Sequence, residues 1–379
     1  MDLVDRRARY RKIEEYRKRP LIVYATSTRN GVQAMMAADA VREFIEQIDG
    51  VGNHEVVDVL VHSTGGDPLT AWKLMSLLRE RFKSVGVLVP FTAFSAATLF
   101  ALGADEIVMH PNASLGPIDP QLQIPQPDGK VRPFAYEDVG AFLRFLASEA
   151  KITDQAYITT AVAKLFSIVD PVSVGAAKRA SELSSSVGER LLRIHMIGSE
   201  EEARAKQIAE NLNKTFFAHG DAVSRTRAKE LQLKITEDAG LEKLIWEAYL
   251  GLESYMQLRQ PFNHLQYYLA DTAGAAAIQP RAPVVMPPNT PPQLAQQIWQ
   301  AVAQQAVQAA TGPAVAVRYS VVNAVLESVR VAAEYRTTGE LHAFRSIGGE
   351  IQLSVVDTDT SWKTIKEPGT PPAAVSSAT

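Results

Sequence analysis

The sequence predicts an α/β fold made of repeated βα units, carrying a helical extension and a small C-terminal α+β segment. Three observations predict it. Short, continuous apolar runs recur at 20–26, 55–62, 85–91 and 106–110, as buried strands of a mostly parallel sheet do. Between them lie stretches with apolar residues three and four apart, the period of helices packed on such a sheet. From about residue 272 the composition turns to Ala and Pro, which separates a last segment from the rest.

In chain order, residues 5–19 are dense in Arg, Lys, Glu and Asp and read as a charged helix on the surface or at a subunit contact. They lack the apolar core of a signal peptide. After the strand at 20–26, residues 33–49 read as a helix, with Met35, Met36, Ala40, Val41, Phe44 and Ile45 as its stripe. The run EVVDVLVH is a buried strand, Thr64 to Pro68 a sharp turn, and 69–82 an amphipathic helix. VGVLVPF is the next strand. A small-residue helix from Ser95, reading as buried core, and a third short strand at 106–110 follow it. Right-handed crossovers put both strand-to-helix turns at one end of the sheet, where sites of open α/β folds gather. Residues 135–150, 153–168, 172–218, 224–233 and 238–257 read as helical. Residues 272–293 read as a linker and 294–310 as a Gln/Ala-rich helix that docks on a partner subunit. Residues 316–366 read as a helix to about Ala333 followed by β-like runs at 340–344 and 350–356; the tail, 367–379, reads as disordered. The expected domains are thus a charged helix (1–19), a main domain (20–271), a linker (272–293), a C-terminal segment (294–366) and the tail.

Composition narrows the function. The chain has 379 residues, 46% hydrophobic and 21% charged, with a net charge of −3. This balance belongs to a globular protein and offers no basic footprint for nucleic acid. There is no cysteine, which removes thiol nucleophiles and thiolate metal sites and fits a cytoplasmic location. No apolar stretch reaches the eighteen or so residues of a membrane span. No phosphate-binding loop with its lysine is present, so an ATPase would have to be a separate partner, which nothing indicates. No metal-ligand spacing or dinucleotide fingerprint occurs, and no cofactor is expected.

Two turns carry the chemistry. In Ser63-Thr64-Gly65-Gly66-Asp67-Pro68, adjacent glycines let backbone N–H groups approach a substrate closely. Such donors stabilise a tetrahedral oxyanion, each by about 2.7–4 kcal/mol. Thirty residues on, Phe91-Thr92-Ala93-Phe94-Ser95-Ala96-Ala97-Thr98 puts a serine at the start of a small-residue helix, with the Ala96 N–H as a second donor. Alone, a Gly-Gly pair is an ordinary turn and a serine there an ordinary N-cap. Their pairing, each after a β-rich run, points to nucleophilic catalysis. Asp67 reads as a helix cap, Asp119 as a turn residue, His219 as structural, and Trp299 and Trp362 as packing anchors.

The STGGDP turn, the run FSAATLFALGADEIVMHPNASLGPIDPQ, and His219 with AKELQLKI resemble the Clp-protease and signal-peptide-peptidase-A group of serine peptidases. Its branch of Clp-fold serine proteinases, the serine dehydrogenase proteinases, is the most similar. The resemblance covers roughly residues 20–235. It implies a ClpP/crotonase-like superhelix of βα units, Ser95 as nucleophile, and amides near Gly65, Gly66 and Ala96 as oxyanion hole. It implies an ATP-independent peptidase acting on peptides or proteins and assembled as a homo-oligomer, a trimer or ring. The base stays open. The triad histidine of the group would fall near Ile118 or Asp119, and His110 is the nearest histidine. A Ser–Lys dyad would draw on Lys164 or Lys130, or on Lys151 or Lys178; a lysine serves as base only where burial lowers its pKa. Two further readings are a scaffold that has lost its base and a crotonase-type acyl-CoA enzyme, against which a serine at the nucleophile position argues.

Overall fold

The computed structural model describes residues 2–125, 130–214, 222–279, 288–311, 315–345 and 350–365. His219, residues 280–287 of the expected linker and the tail lie outside them. The first half runs α1 (Leu3–Arg17), β1 (Leu21–Thr26), the hairpin β2 (Thr28–Arg29) and β3 (Val32–Gln33), α2 (Ala40–Val51), β4 (Val56–His62) and α3 (Pro68–Arg81). Then come β5 (Ser84–Val89), β6 (Thr92–Ala93), α4 (Ala96–Leu102), β7 (Glu106–Met109), β8 (Ser114–Leu115), and a hairpin of β9 (Gln121–Pro125) and β10 (Val131–Ala135). Helices α5 (Tyr136–Ser148), α6 (Gln155–Phe166), α7 (Pro171–Leu192) and α8 (Ser199–Lys214) follow. The remainder is β11 (Val223–Ser224), α9 (Arg225–Glu230), β12 (Ile235–Thr236), α10 (Ala239–Met256), α11 (His264–Ala270), α12 (Thr272–Ala277), α13 (Pro292–Thr311), β13 (Ala316–Glu327), β14 (Ala332–Arg345) and β15 (Ile351–Thr364).

One eight-stranded sheet, β12-β7-β5-β4-β1-β13-β14-β15, organises the molecule. From β12 to β1 neighbouring strands are parallel; from β1 outward they are antiparallel. Strands β1, β4 and β5 are buried almost throughout because helices cover both faces. Val57, Val59 and Val61 of β4 pack with α2, α3, α4, α7 and α8 in one core. Leu60, Leu88 and Val108 point the other way, into a second core with α1 and α10.

Several expectations are corrected. The charged helix α1 is no free surface: Arg6, Tyr10 and Ile13 are buried in it. The Arg6 guanidinium pairs with Glu327 of β13, which also accepts the Tyr10 hydroxyl at 2.9 Å. Arg17 reaches Asp58 at 2.8 Å and Glu106 at 2.7 Å, so strand carboxylates neutralise the helix. The helix expected over 33–49 begins only at Ala40, because residue 36 is spent on a bridge to Gly66. The helix expected up to Ala333 is instead strand β13. Its Val317, Tyr319 and Val321 alternate inward, and β1 and β14 take up its backbone on both sides. The C-terminal segment therefore extends the main sheet. The expected linker opens with the helix α12, and β9 and β10 pair antiparallel just ahead of the helices of the extension. Trp362 packs on Tyr335 and its ring N–H donates to Asp39 at 2.7 Å. Trp299 on α13, expected to be a packing anchor, is 56% exposed among the described residues. No single described helix is long and apolar enough to cross a membrane; α6 and α7 meet that test only together, as a pair bent by 94°.

Candidate active site

The two turns meet at the C-terminal ends of the central strands. After β4, the Ser63 N–H donates to Thr92 O at 2.9 Å and Ser63 O accepts the Phe94 N–H at 3.0 Å. This bridge carries the chain from Ala93 straight into Ser95 alongside the glycine turn. Gly65 and Gly66 have φ of +106° and +151°, which a side chain would oppose. A Cβ on Gly65 would stand 2.6 Å from the Cβ of Ser95 and from Phe94 O; one on Gly66 would stand 2.2 Å from Met36 O. Glycine is thus required for the close approach of the two turns. Met36 completes the frame: its N–H donates to Gly65 O at 2.7 Å and its O accepts the Asp67 N–H at 2.9 Å. Asp67 caps α3 through Leu69 and Thr70, with Pro68 at the first helical position, as the sequence indicates.

Ser95 has φ 51° and ψ −116°, a backbone geometry that costs a non-glycine residue about 1–3 kcal/mol. The surrounding structure enforces it. All seven residues of α4 are buried. Thr98 Oγ1 donates to Ala93 O at 2.7 Å and accepts the Gly116 N–H at 2.9 Å, locking the helix start to the 114–118 segment. Ser95 itself is half-buried and its hydroxyl caps nothing in α4.

The three expected oxyanion donors are not equivalent. The Gly65 N–H is taken by Ser63 Oγ at 3.0 Å. The amides of Gly66 and Ala96 have no acceptor among the described residues. Three residues of this frame escaped the sequence reading: Met36, Ser63 and Thr98. Only Ser63 had a local signal, a hydroxyl two residues before a glycine, the pattern of a Ser turn.

The expected bases are dispersed. Ile118, where a triad histidine would fall, is 1% exposed; its N–H donates to Leu212 O at 3.0 Å and its O accepts the Ser184 hydroxyl at 2.5 Å. His110 stacks on Trp246 of α10 at 4.7 Å, and its Nδ1 accepts the Asn112 N–H. It belongs to the α10 face, whereas α4 packs on the opposite face. Burial lowers its pKa. Lys164 is exposed on α6, a helix with no buried residue, so among the described residues nothing supplies the burial that would make it a base. Lys130 is exposed at the foot of β10. Lys151 is exposed too, and Lys178, also exposed, pairs with Glu182 at 3.7 Å beside a cleft of about 410 Å³ that Asp119 and Ser185 also line. A histidine that sequence reading passed over, His62, is fully buried at the end of β4 and packs edge-on against Tyr249. Burial pushes its pKa down to about 4.

The chain thus seats a serine of strained backbone geometry against a Gly-Gly turn at the C-terminal ends of a mostly parallel set of strands. Residues 3–137 match the family described as ClpP-like SDH-type serine proteinase. Over that span the resemblance read from the sequence is shown. Two uncharacterized proteins of Methanocaldococcus jannaschii are similar. One is 30% identical over 216 residues, 57% of this chain and 64% of the relative; the other is 26% identical over 179 residues, 47% of this chain and 51% of the relative. The matches thus span about half to two thirds of those relatives. Among solved structures, the 1510-N membrane-bound stomatin-specific protease matches at 15% identity and TM-score 0.35, over 59% of this chain and 82% of its own. ClpP1 from Listeria monocytogenes matches at 13% identity and TM-score 0.32, over 61% and 98%. The strand order above, not these two likenesses, defines the fold.

Proposed function

We propose that this chain is a serine peptidase that needs no ATPase of its own, with Ser95 as nucleophile. The Ser95 hydroxyl attacks a peptide carbonyl, the amides of Gly66 and Ala96 receive the developing oxyanion, and the amine leaves to give an acyl-enzyme that water hydrolyses. A lysine, Lys130 or Lys164, takes the hydroxyl proton and gives it to the leaving amine, having been brought to the site when copies of the chain assemble as a trimer or ring. One observation carries this reading. The backbone of Ser95 is held in a strained geometry, with Gly65 packed against its Cβ and two neighbouring amides left without acceptors among the described residues. A serine kept merely to cap a helix would not need that strain, and this one caps nothing.

The test is labelling of the full chain with a fluorophosphonate probe, comparing wild type, Ser95→Ala, Lys130→Ala and Lys164→Ala. Labelling is expected in the wild type, none in Ser95→Ala, and a fall of about 10²-fold or more in one lysine variant. Absence of labelling in folded wild type would refute the peptidase. A second reading, a scaffold that keeps the fold without the chemistry, is favoured by the dispersal of the candidate bases; it predicts that unlabelled outcome.

A further inference from the structure

Ser63 stands between the two turns and touches both. Its main chain is bridged to Thr92 and Phe94, on the approach to Ser95. Its side chain does something separate. Ser63 Oγ accepts the Gly65 N–H at 3.0 Å and the Thr26 hydroxyl at 2.7 Å. Thr26 and Ser63 are both completely buried. Thr26 is the last residue of β1, and its backbone is registered opposite Ala324 of β13. A hydroxyl chain thus runs from the sheet to the glycine turn with no access to solvent.

A Gly-Gly turn has two N–H groups and little stiffness of its own. Which of them is free depends on what holds the other. Here Ser63 holds Gly65 from below, while Met36 fixes the next peptide by accepting from Asp67 and donating to Gly65 O. Gly66 N–H is left as the turn's open donor. We propose that Ser63, itself held by Thr26, is a positioning residue that selects the Gly66 amide as the oxyanion donor and keeps it in register with Ser95. The proposal rests on the hydrolase reading. Without the Ser63 hydroxyl, the Gly65 amide would lose its buried acceptor and the turn could swing either N–H outward. Stabilisation of the tetrahedral species would fall, and binding of the ground state would not.

That difference is what the experiment reads. The full chain is labelled with a fluorophosphonate over a range of probe concentrations, which separates the limiting rate of inactivation from the half-saturating concentration. Ser63→Ala is expected to lower the limiting rate about tenfold or more, a fraction of what one oxyanion donor is worth, with the half-saturating concentration within about twofold of wild type. Thr26→Val keeps the shape and the Ser63 hydroxyl but removes its donor; about a fivefold fall is expected, the worth of one ordinary hydrogen bond. This second variant decides the matter should Ser63→Ala not fold. An unchanged limiting rate in a folded variant, or a change confined to the half-saturating concentration, would overturn the proposal. Wild type that fails to label would overturn the hydrolase reading and this inference with it, an outcome visible before any variant is made.

Discussion

Acidification should unfold this chain partly through His62. The side chain is fully buried at the end of β4, with its Nε2 3.4 Å from Thr28 Oγ1 and its ring 5.0 Å from that of Tyr249. Its Nδ1 has no partner among the described residues. Burial disfavours the charged form and holds the pKa at about 4 rather than 6.5. In the unfolded chain the ring takes a proton near pH 6.5; in the folded chain it does not until near pH 4. The unfolded state therefore binds more protons through this window, and stability must fall as pH drops from 6.5 toward 4. The difference corresponds to roughly 3 kcal/mol once pH is below 4, and about 2.5 kcal/mol is already lost at pH 4.5. Chemical denaturation at pH 7 and pH 4.5 measures the loss. The comparison is with His62→Phe, which keeps an aromatic ring and removes the titration. Carboxylates such as Asp105 and Glu106, held low mainly by their arginine partners against the opposing effect of burial, affect both proteins alike. Wild type should lose about 2.5 kcal/mol more than His62→Phe between the two pH values. Parallel losses would show that water or a backbone shift solvates the imidazolium, and the reasoning from burial would fail.

Two further outcomes follow from the site and its frame. Ser95→Gly relieves the strained backbone at φ 51°; after the extra flexibility of glycine in the unfolded chain it should gain about 1 kcal/mol in urea denaturation while losing all fluorophosphonate labelling. Among the described residues, Arg6→Met leaves the buried Glu327 carboxylate with the Tyr10 hydroxyl as its remaining side-chain partner, so it should cost about 3–5 kcal/mol at pH 7, read by the same denaturation; a loss under 1 kcal/mol would mean that the α1–β13 pair is dispensable.

Much of the parallel half of the fold is legible locally. The runs that became β1, β4, β5 and β7 are continuous and apolar because both sheet faces are covered, and that pattern does not depend on which strand lies beside which. Asp67-Pro68 announces the start of α3 by its own capping chemistry, and the Gly-Gly pair and Ser95 announce two turns by what their backbones must do. The meeting of those turns is not local. It is decided by the bridge from Ser63 to Ala93 and from Met36 to Gly66, hydrogen bonds between segments about thirty residues apart, for which no periodicity speaks. Strand β13 read as a helix because its inward residues become distinguishable only once β1 and β14 flank it. Lys164 could serve as a base only if its helix had a core to face, and among the described residues nothing buries any residue of α6. By itself, then, the sequence determined the βα units and the two strand-to-helix turns, since each is written in residues that are neighbours along the chain. The tertiary structure alone decided which amide is free, where the histidines face and that the C-terminal strands complete the main sheet, since each of these depends on a partner far away in the sequence.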